Sequence, residues 1–327
     1  MHILITGAAG MIGRKLTARL VESGALNGRP IEKLTLIDTS APERPKKFSG
    51  IVGTFAADIS EPAVIQAAVA GRPDIIFHLA AIVSGEAELD FEKGVRINLD
   101  ASHALFEAIR QTGQGYCPRV VFTSSIAVFG APFPRAIPDD FHLTPLTSYG
   151  TQKAIVELLL AEYSRRGFLD GVGIRLPTIS VRPGRPNKAA SGFFSSIIRE
   201  PLAGEEAVLP VEESVTHWHV SPRSAIGFLI HAAGLSREQF GPRINLTMPG
   251  VSCTVAEQIA ALRRIAGDEV VARIRRKPDP LVARIVDGWP RRFDPQRALA
   301  LGFKAESSFD EIIRVHIEDE LGGKIAL

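Results

Sequence analysis

Cysteine is scarce: Cys117 and Cys253 stand far apart in 327 residues, which leaves neither a disulfide framework nor the close ligand spacing of a metal site. A reducing compartment, the cytoplasm, is the expected setting. No apolar run approaches the roughly 18 residues that a membrane span needs, and His2 to Thr6 reads as a strand rather than a signal peptide. Charge of one sign is missing too. The net charge is +2, with 38 Lys and Arg interspersed among 36 Asp and Glu, so no nucleic-acid partner is implied. The densest basic stretch, Arg273, Arg275, Arg276 and Lys277, reads as a solvated helix edge. Repeats and low-complexity segments are also absent.

What is present can fold. Hydrophobic residues make up 45% of the chain and charged residues 23%, enough to build a buried core without leaving a disordered polar tract. The length favours a large domain with a smaller appendage. Short β-rich runs at His2 to Thr6, Leu34 to Asp38, Ile51 to Ala56, Asp74 to Leu79, Val120 to Ser124 and Val172 to Val181 alternate with helical patterns. Such alternation predicts βαβ units, hence an α/β fold with a doubly wound parallel sheet, a Rossmann fold. Helical periodicity is clearest over Arg14 to Ser23, Val95 to Gln111 and Ser148 to Arg166. The expected division is a dinucleotide-binding domain over 1–182 and a C-terminal substrate lobe over 183–327. That lobe opens with the Pro/Gly/basic segment Pro183 to Lys188 and is free to return an element or two to the first domain.

Directly after the first strand comes T-G-A-A-G-M-I-G. Gly7 would permit the tight turn, Gly10 would let backbone approach a pyrophosphate, and Gly13 would let helix and strand pack closely. Met11 and Ile12 would then present unpaired helix N-terminal amides to the anion. The next strand ends at Asp38, whose carboxylate can accept hydrogen bonds from both ribose hydroxyls and would repel a 2′-phosphate; this favours NAD over NADP. The basic loop residues Arg44, Lys46 and Lys47 follow closely. Asp58 and Ile59 close the third strand, where Asp58 either faces the adenine amine or caps a turn. Leu79, Ala80 and Ala81 end the fourth strand with room for a ligand. Asn98 either ties the next helix to the sheet or joins a proton relay.

Tyr149 and Lys153 stand four residues apart on a helix, so both project from one face. A phenol is a poor base near neutral pH, but a neighbouring ammonium and an oxidised nicotinamide both favour its phenolate. Tyr149 would take the proton from a substrate hydroxyl as hydride leaves the carbon. The fifth strand ends in F-T-S-S-I-A-V-F-G and delivers Thr123, Ser124 and Ser125 to the carboxyl edge of the sheet, where ligands bind in open α/β folds. There Ser125 would hold the reacting oxygen.

With these residues together, the chain resembles an extended short-chain dehydrogenase/reductase, the group that includes nucleotide-sugar epimerases and dehydratases. The matching residues are T-G-A-A-G-M-I-G from Thr6, Asp38, D-I at Asp58, H-L-A-A from His78, Asn98, S-S-I-A-V-F-G from Ser124 and Y-G-T-Q-K from Tyr149. The resemblance implies a bound NAD, Ser125 rather than Ser124 as the catalytic serine, and a nicotinamide carboxamide held near Pro177, Thr178 and Ile179. It also suggests a homodimer built from the helices at Val95 to Gln111 and Ser148 to Arg166.

The substrate is read from a departure. Sugar-nucleotide enzymes of the family place an asparagine near Thr178 for the substrate pyrophosphate, and none stands there. Arg182, Arg185, Arg223, Arg291 and Arg292 remain near the expected site, and an Arg fork can grip a carboxylate. Arg182 is the expected one, with Ser84 meeting a substrate hydroxyl or carboxylate. More narrowly, L-P-T-I-S-V-R-P-G and the following N-K-A-A-S-G-F-F-S resemble the branch that oxidises a four-carbon sugar acid at C2 with NAD. The expected substrate is therefore a small 2-hydroxy sugar acid. A nucleotide-sugar epimerase or dehydratase that keeps its NAD is the alternative; a non-catalytic NAD-binding regulator would not need the Ser/Tyr/Lys trio. His217 and His219 lack a third metal ligand, so they are read as two rings on one face of a strand, with no metal expected.

Overall fold

The computed structural model describes residues 1–184 and 191–326, so Arg185 and the N-K-A-A residues from Asn187 lie outside the described residues. The chain folds as two compact units: residues 1–128, 147–175 and 226–246 form the first, and 129–146, 176–225 and 247–327 the second. The single boundary expected near residue 182 gives way to repeated crossings. The second unit takes residues 129–146 out of the N-terminal half, and the first takes back residues 226–246.

The first unit is built on strands β1 (His2–Thr6), β2 (Lys33–Asp38), β3 (Ile51–Ala56), β4 (Ile75–His78), β5 (Arg119–Ser125) and β6 (Asp170–Leu176). Ile3, Leu4 and Ile5 are successive and fully buried, as are Val120, Val121 and Phe122. A strand can bury successive side chains only when both faces are covered, which explains why these segments read as unbroken apolar runs. Each such side chain contributes about 1.5–3 kcal/mol by leaving water.

The sheet has seven strands in the order β9-β6-β5-β4-β1-β2-β3, where β9 is Asn245–Thr247. By returning to lie beside β6, β9 pairs with it and becomes the short edge strand on that side. Parallel registers bring Thr6 level with Ile37 and His78, Asp38 level with Ala56, and His78 level with Phe122. Strand order reverses between β1 and β4, which stay paired to their carboxyl ends at Thr6 and His78. This is where a doubly wound sheet opens a ligand crevice.

Helix α1 (Met11–Ser23) buries Gly13, Leu16, Thr17 and Leu20 on one stripe and stops at Gly24, whose φ of +64° lets its N–H reach the Leu20 carbonyl. The pattern over Val95 to Gln111 resolves into a π-helical segment, Val95–Asp100, followed by α2 (Ala101–Thr112). Asn98 sits in the widened segment, fully buried. Helix α3 (Ser148–Arg165) is capped by the Thr147 hydroxyl, which accepts from Gly150 N.

The apolar run Val172 to Val181 is not one strand. Pro177 has no N–H for a ladder and ends β6; β7 (Thr178–Ile179) then pairs in parallel with β8 (Thr216–Val220) in a separate three-stranded sheet completed by β10 (Val251–Thr254). The second unit packs its core from Phe194, Ile197, Val255, Leu262, Ile312 and neighbours, all essentially without exposure. Among the described residues no helix is long and apolar enough to cross a membrane.

Candidate active site

The three glycines of the first turn differ in what forces them. Gly7 has φ of +74°, and a Cβ there would lie 2.7 Å from Ala80 N. A Cβ on Gly13 would lie 2.2 Å from the Gly7 carbonyl oxygen. Both are dictated by the protein's own backbone. Gly10 is exposed, has φ of −67°, and a Cβ there would meet only the Gly7 oxygen, at 3.3 Å. The chain itself does not demand a glycine at position 10. Its bare backbone, beside a helix N-terminus that no side chain caps, leaves a cradle that a Cβ would fill, as a dinucleotide pyrophosphate requires. Met11 and Ile12 begin that helix half-buried.

Asp38 ends β2 and ties the turn to the next loop. Its Oδ2 accepts from Ala9 N at 3.0 Å, and its Oδ1 accepts from Ser40 N at 3.1 Å. Asp58 takes the turn-capping geometry, accepting from Ser60 N at 2.8 Å, and pairs with Arg96 at 3.1 Å. Partial burial pushes its carboxyl up, but the bonds from Ser60 and Arg96 win and hold it below the usual range. Ile59 is buried, while Leu79, Ala80 and Ala81 are half-buried to exposed at the end of β4.

A directed hydrogen-bond chain runs beneath the crevice. Ser102 donates to the Asn98 carbonyl, so its oxygen accepts from His78 Nε2 at 2.9 Å, and His78 Nδ1 accepts from the Thr6 hydroxyl at 2.8 Å. Thr6 in turn accepts from Ala80 N. Full burial pushes the His78 imidazole down to about 3, which keeps it neutral. Asn98 Oδ1 accepts from Ile82 N at 2.9 Å, and its Nδ2 donates to Gln152 Oε1 at 2.8 Å. Asn98 therefore does tie its helix to the segment after β4, and ties both to α3.

Helix α3 carries Tyr149 in its first turn and Lys153 one turn later. Lys153 is only 2% exposed; its Nζ lies 5.7 Å from the Tyr149 ring centre and donates to the Thr123 carbonyl at 2.9 Å. Burial pushes the ammonium down to about 7, opposed by the Glu157 carboxylate. Thr123 also donates to the His78 carbonyl at 3.2 Å. The adjacent serines separate cleanly. Ser124 is buried and donates to Glu157 Oε1 at 2.5 Å, whereas Ser125 is half-buried and accepts from Ala127 N at 3.1 Å.

In the second unit Pro177 and Ile179 are buried and Thr178 is half-buried. His217 Nδ1 faces the Pro290 carbonyl at 3.0 Å and so carries the proton, and its Nε2 accepts from the Thr178 hydroxyl at 2.7 Å. His217 and His219 lie on the same face of β8, with ring centres 5.3 Å apart; His219 engages Ser180 and Gln258. Among the described residues no group of three His, Cys, Asp or Glu is placed to hold a metal ion. Arg182 is pinned by Ile179 O at 3.0 Å and Ser191 Oγ at 2.9 Å. Two candidate arginines are spent elsewhere: Arg223 pairs with Glu318 and Asp319, and Arg291 with Asp287 at 3.2 Å. Exposed Arg292 uses its backbone carbonyl to accept from Ile137 N. Ser84 opens a short helix, Ser84–Leu89, half-buried.

Sequence reasoning overlooked Glu157 and Arg175. Arg175 donates to both Glu157 oxygens, from Nε at 2.9 Å and from its terminal nitrogen at 2.7 Å, and both side chains are buried. The signal was present: a lone Glu inside the apolar A-I-V-E-L-L-L, on the Tyr149 and Lys153 face.

Residues 3–220 match the model of the NAD dependent epimerase/dehydratase family. The D-erythronate dehydrogenase of Cupriavidus necator is 49% identical, over 98% of this chain and 98% of its own length. That of Haemophilus influenzae is 40% identical, over 98% and 100%. The crystal structure of the nucleoside-diphosphate-sugar epimerase from Agrobacterium tumefaciens is 66% identical, covers 100% of this chain and 96% of its own, and has a TM-score of 0.98. The chain belongs to the NAD dependent epimerase/dehydratase family, the extended short-chain dehydrogenases/reductases, and is an NAD-dependent oxidoreductase.

Proposed function

We propose that the chain oxidises a small 2-hydroxy sugar acid, D-erythronate to 2-oxo-tetronate. The observation that carries this reading is Lys153, an ammonium shielded from water one turn beyond Tyr149, which makes that phenol a usable base. Full-length similarity to two D-erythronate dehydrogenases supports the choice of acid.

In this reading Gly7, Gly10, Met11, Ile12 and Gly13 hold the pyrophosphate of NAD, Asp38 the adenosine ribose, and Asp58 and Ile59 the adenine. Leu79, Ala80, Ala81, Asn98 and Thr123 line the crevice floor, and Pro177, Thr178 and Ile179 meet the carboxamide. Held by these residues, NAD would supply the hydride acceptor for C2. Tyr149 takes the C2 hydroxyl proton, Ser125 orients that oxygen, Ser84 meets a neighbouring polar group and Arg182 grips the carboxylate. The balance is alcohol plus NAD to ketone, NADH and one proton.

The test is release of NADH from NAD across a panel of four-carbon acids and UDP-sugars. Stoichiometric NADH with D-erythronate is expected. Isomerisation of a UDP-sugar without net NADH would install the epimerase reading instead, which the name of the Agrobacterium structure favours. The same proposal places the protein in the cytoplasm as a homodimer through α2 and α3, where Leu158 is 67% exposed. Leu158→Glu should then elute as a monomer.

A further inference from the structure

Behind the Tyr149 and Lys153 pair lies a buried charge cluster to which neither the family match nor the relatives' names assign a role. We propose that Glu157 is a positioning residue that keeps Lys153 charged, and that Arg175 and Ser124 hold its carboxylate for that purpose. The proposal rests on the reading of Tyr149 and Lys153 as the reacting pair.

Glu157 follows Lys153 by one helical turn on α3 and is fully buried. Three donors from two strands converge on it: Ser124 Oγ of β5 at 2.5 Å, and Arg175 of β6 through Nε at 2.9 Å and a terminal nitrogen at 2.7 Å. The carboxylate therefore cannot swing toward Lys153 and form a contact pair that would draw the ammonium away from Tyr149. It acts at a distance, through a medium where charges are weakly screened. The other groups around Lys153 are the Thr123 carbonyl at 2.9 Å, the Phe122 ring at 4.7 Å, the Tyr149 ring at 5.7 Å and the neutral His78, stacked on Phe122. None of these brings a fixed negative charge. Arg175 balances Glu157, so removing either partner leaves one buried charge uncompensated.

The two removals have opposite signs. Glu157→Gln leaves Arg175 facing Lys153, which favours loss of the ammonium proton; Arg175→Gln leaves the carboxylate unopposed, which retains it. The high-pH limb of kcat/KM should fall by about one unit in Glu157→Gln and rise by about as much in Arg175→Gln. A readout independent of turnover is available because the chain has three tyrosines. Burial pushes Tyr116 up, and burial with Glu107 pushes Tyr163 up to about 12; the phenolate absorbance that Tyr149→Phe lacks reports Tyr149. In Arg175→Gln, where Lys153 keeps its charge, it should appear at lower pH than in the parent, and in Glu157→Gln at higher pH.

Ser124→Ala keeps both charges, removes one hydroxyl and provides a variant whose folding is least at risk. It leaves the carboxylate less well satisfied and should move the limb upward. Folded variants whose limb and phenolate titration stay in place, or all move the same way, would overturn the assignment. Tyr149→Phe and Lys153→Met run alongside. If these keep turnover, the reading of the reacting pair fails; if they abolish it while Glu157→Gln changes nothing, only the role of Glu157 fails.

Discussion

Ser124 and Ser125 are consecutive on β5, yet Ser124 donates to the buried Glu157 while Ser125 accepts from Ala127 N at the half-open strand end. Side chains alternate along a strand, so one faces the core and its neighbour the crevice. Ser125→Ala should lower kcat by about a hundredfold or more with little change in melting temperature. Ser124→Ala should instead cost about 1–3 kcal/mol of stability, because a buried carboxylate loses a donor, and should keep most of the turnover. Steady-state kinetics beside thermal melts of both variants checks the pair.

The glycine turn yields a second separation. Gly13→Ala would push a Cβ into the Gly7 carbonyl and should destabilise the fold by about 1–3 kcal/mol. Gly10→Ala needs only a slight adjustment of the protein, so its melting temperature without cofactor should stay near the parent value while NAD affinity falls. NADH fluorescence titration against thermal melts measures both.

Two residues before Asp38 on β2, Leu36 lines a cavity of about 550 Å³ together with Ala8, Arg14, Arg44 and Lys47 and the acidic Glu22 and Glu43, among others. In the proposed reading the Asp38 carboxylate would oppose a 2′-phosphate, while the basic Arg44 and Lys47 would welcome one. Replacing Asp38 by Ala should therefore shift the ratio of kcat/KM from NAD toward NADP by roughly tenfold or more, about 1.4 kcal/mol. An unchanged ratio would remove Asp38 from cofactor selection.

Burial pushes His78 down to about 3 and His217 down to about 4, and holds His219 well below its ordinary value. Each binds fewer protons folded than unfolded. The stability this represents is whole above the unfolded value near 6.5 and is lost as pH falls toward the folded values. Melting temperature should decline steadily from about pH 6.5 to pH 4. In His217→Gln the decline should be shallower by one proton, about 1.4 kcal/mol per pH unit.

Much of this site was legible in the linear order of residues, because its motifs are local. Gly7, Gly10 and Gly13 surround one strand-to-helix junction, Asp38 ends one strand, and Tyr149 and Lys153 share one helical turn. Alternation of apolar runs with helical stripes likewise determined the doubly wound sheet, since each strand's burial is written into its own side chains. Long-range pairing decided the rest. That β9 would add an edge strand beside β6, that Pro177 would hand β7 to another sheet, and that Arg223 would be taken up by Glu318 and Asp319 depend on partners dozens of residues away. Glu157 shows the difference most plainly. Its residue type announced a buried charge, but only folding brought Arg175 and Ser124 to it, because a charge stripped of water is stable only where the chain supplies its partners.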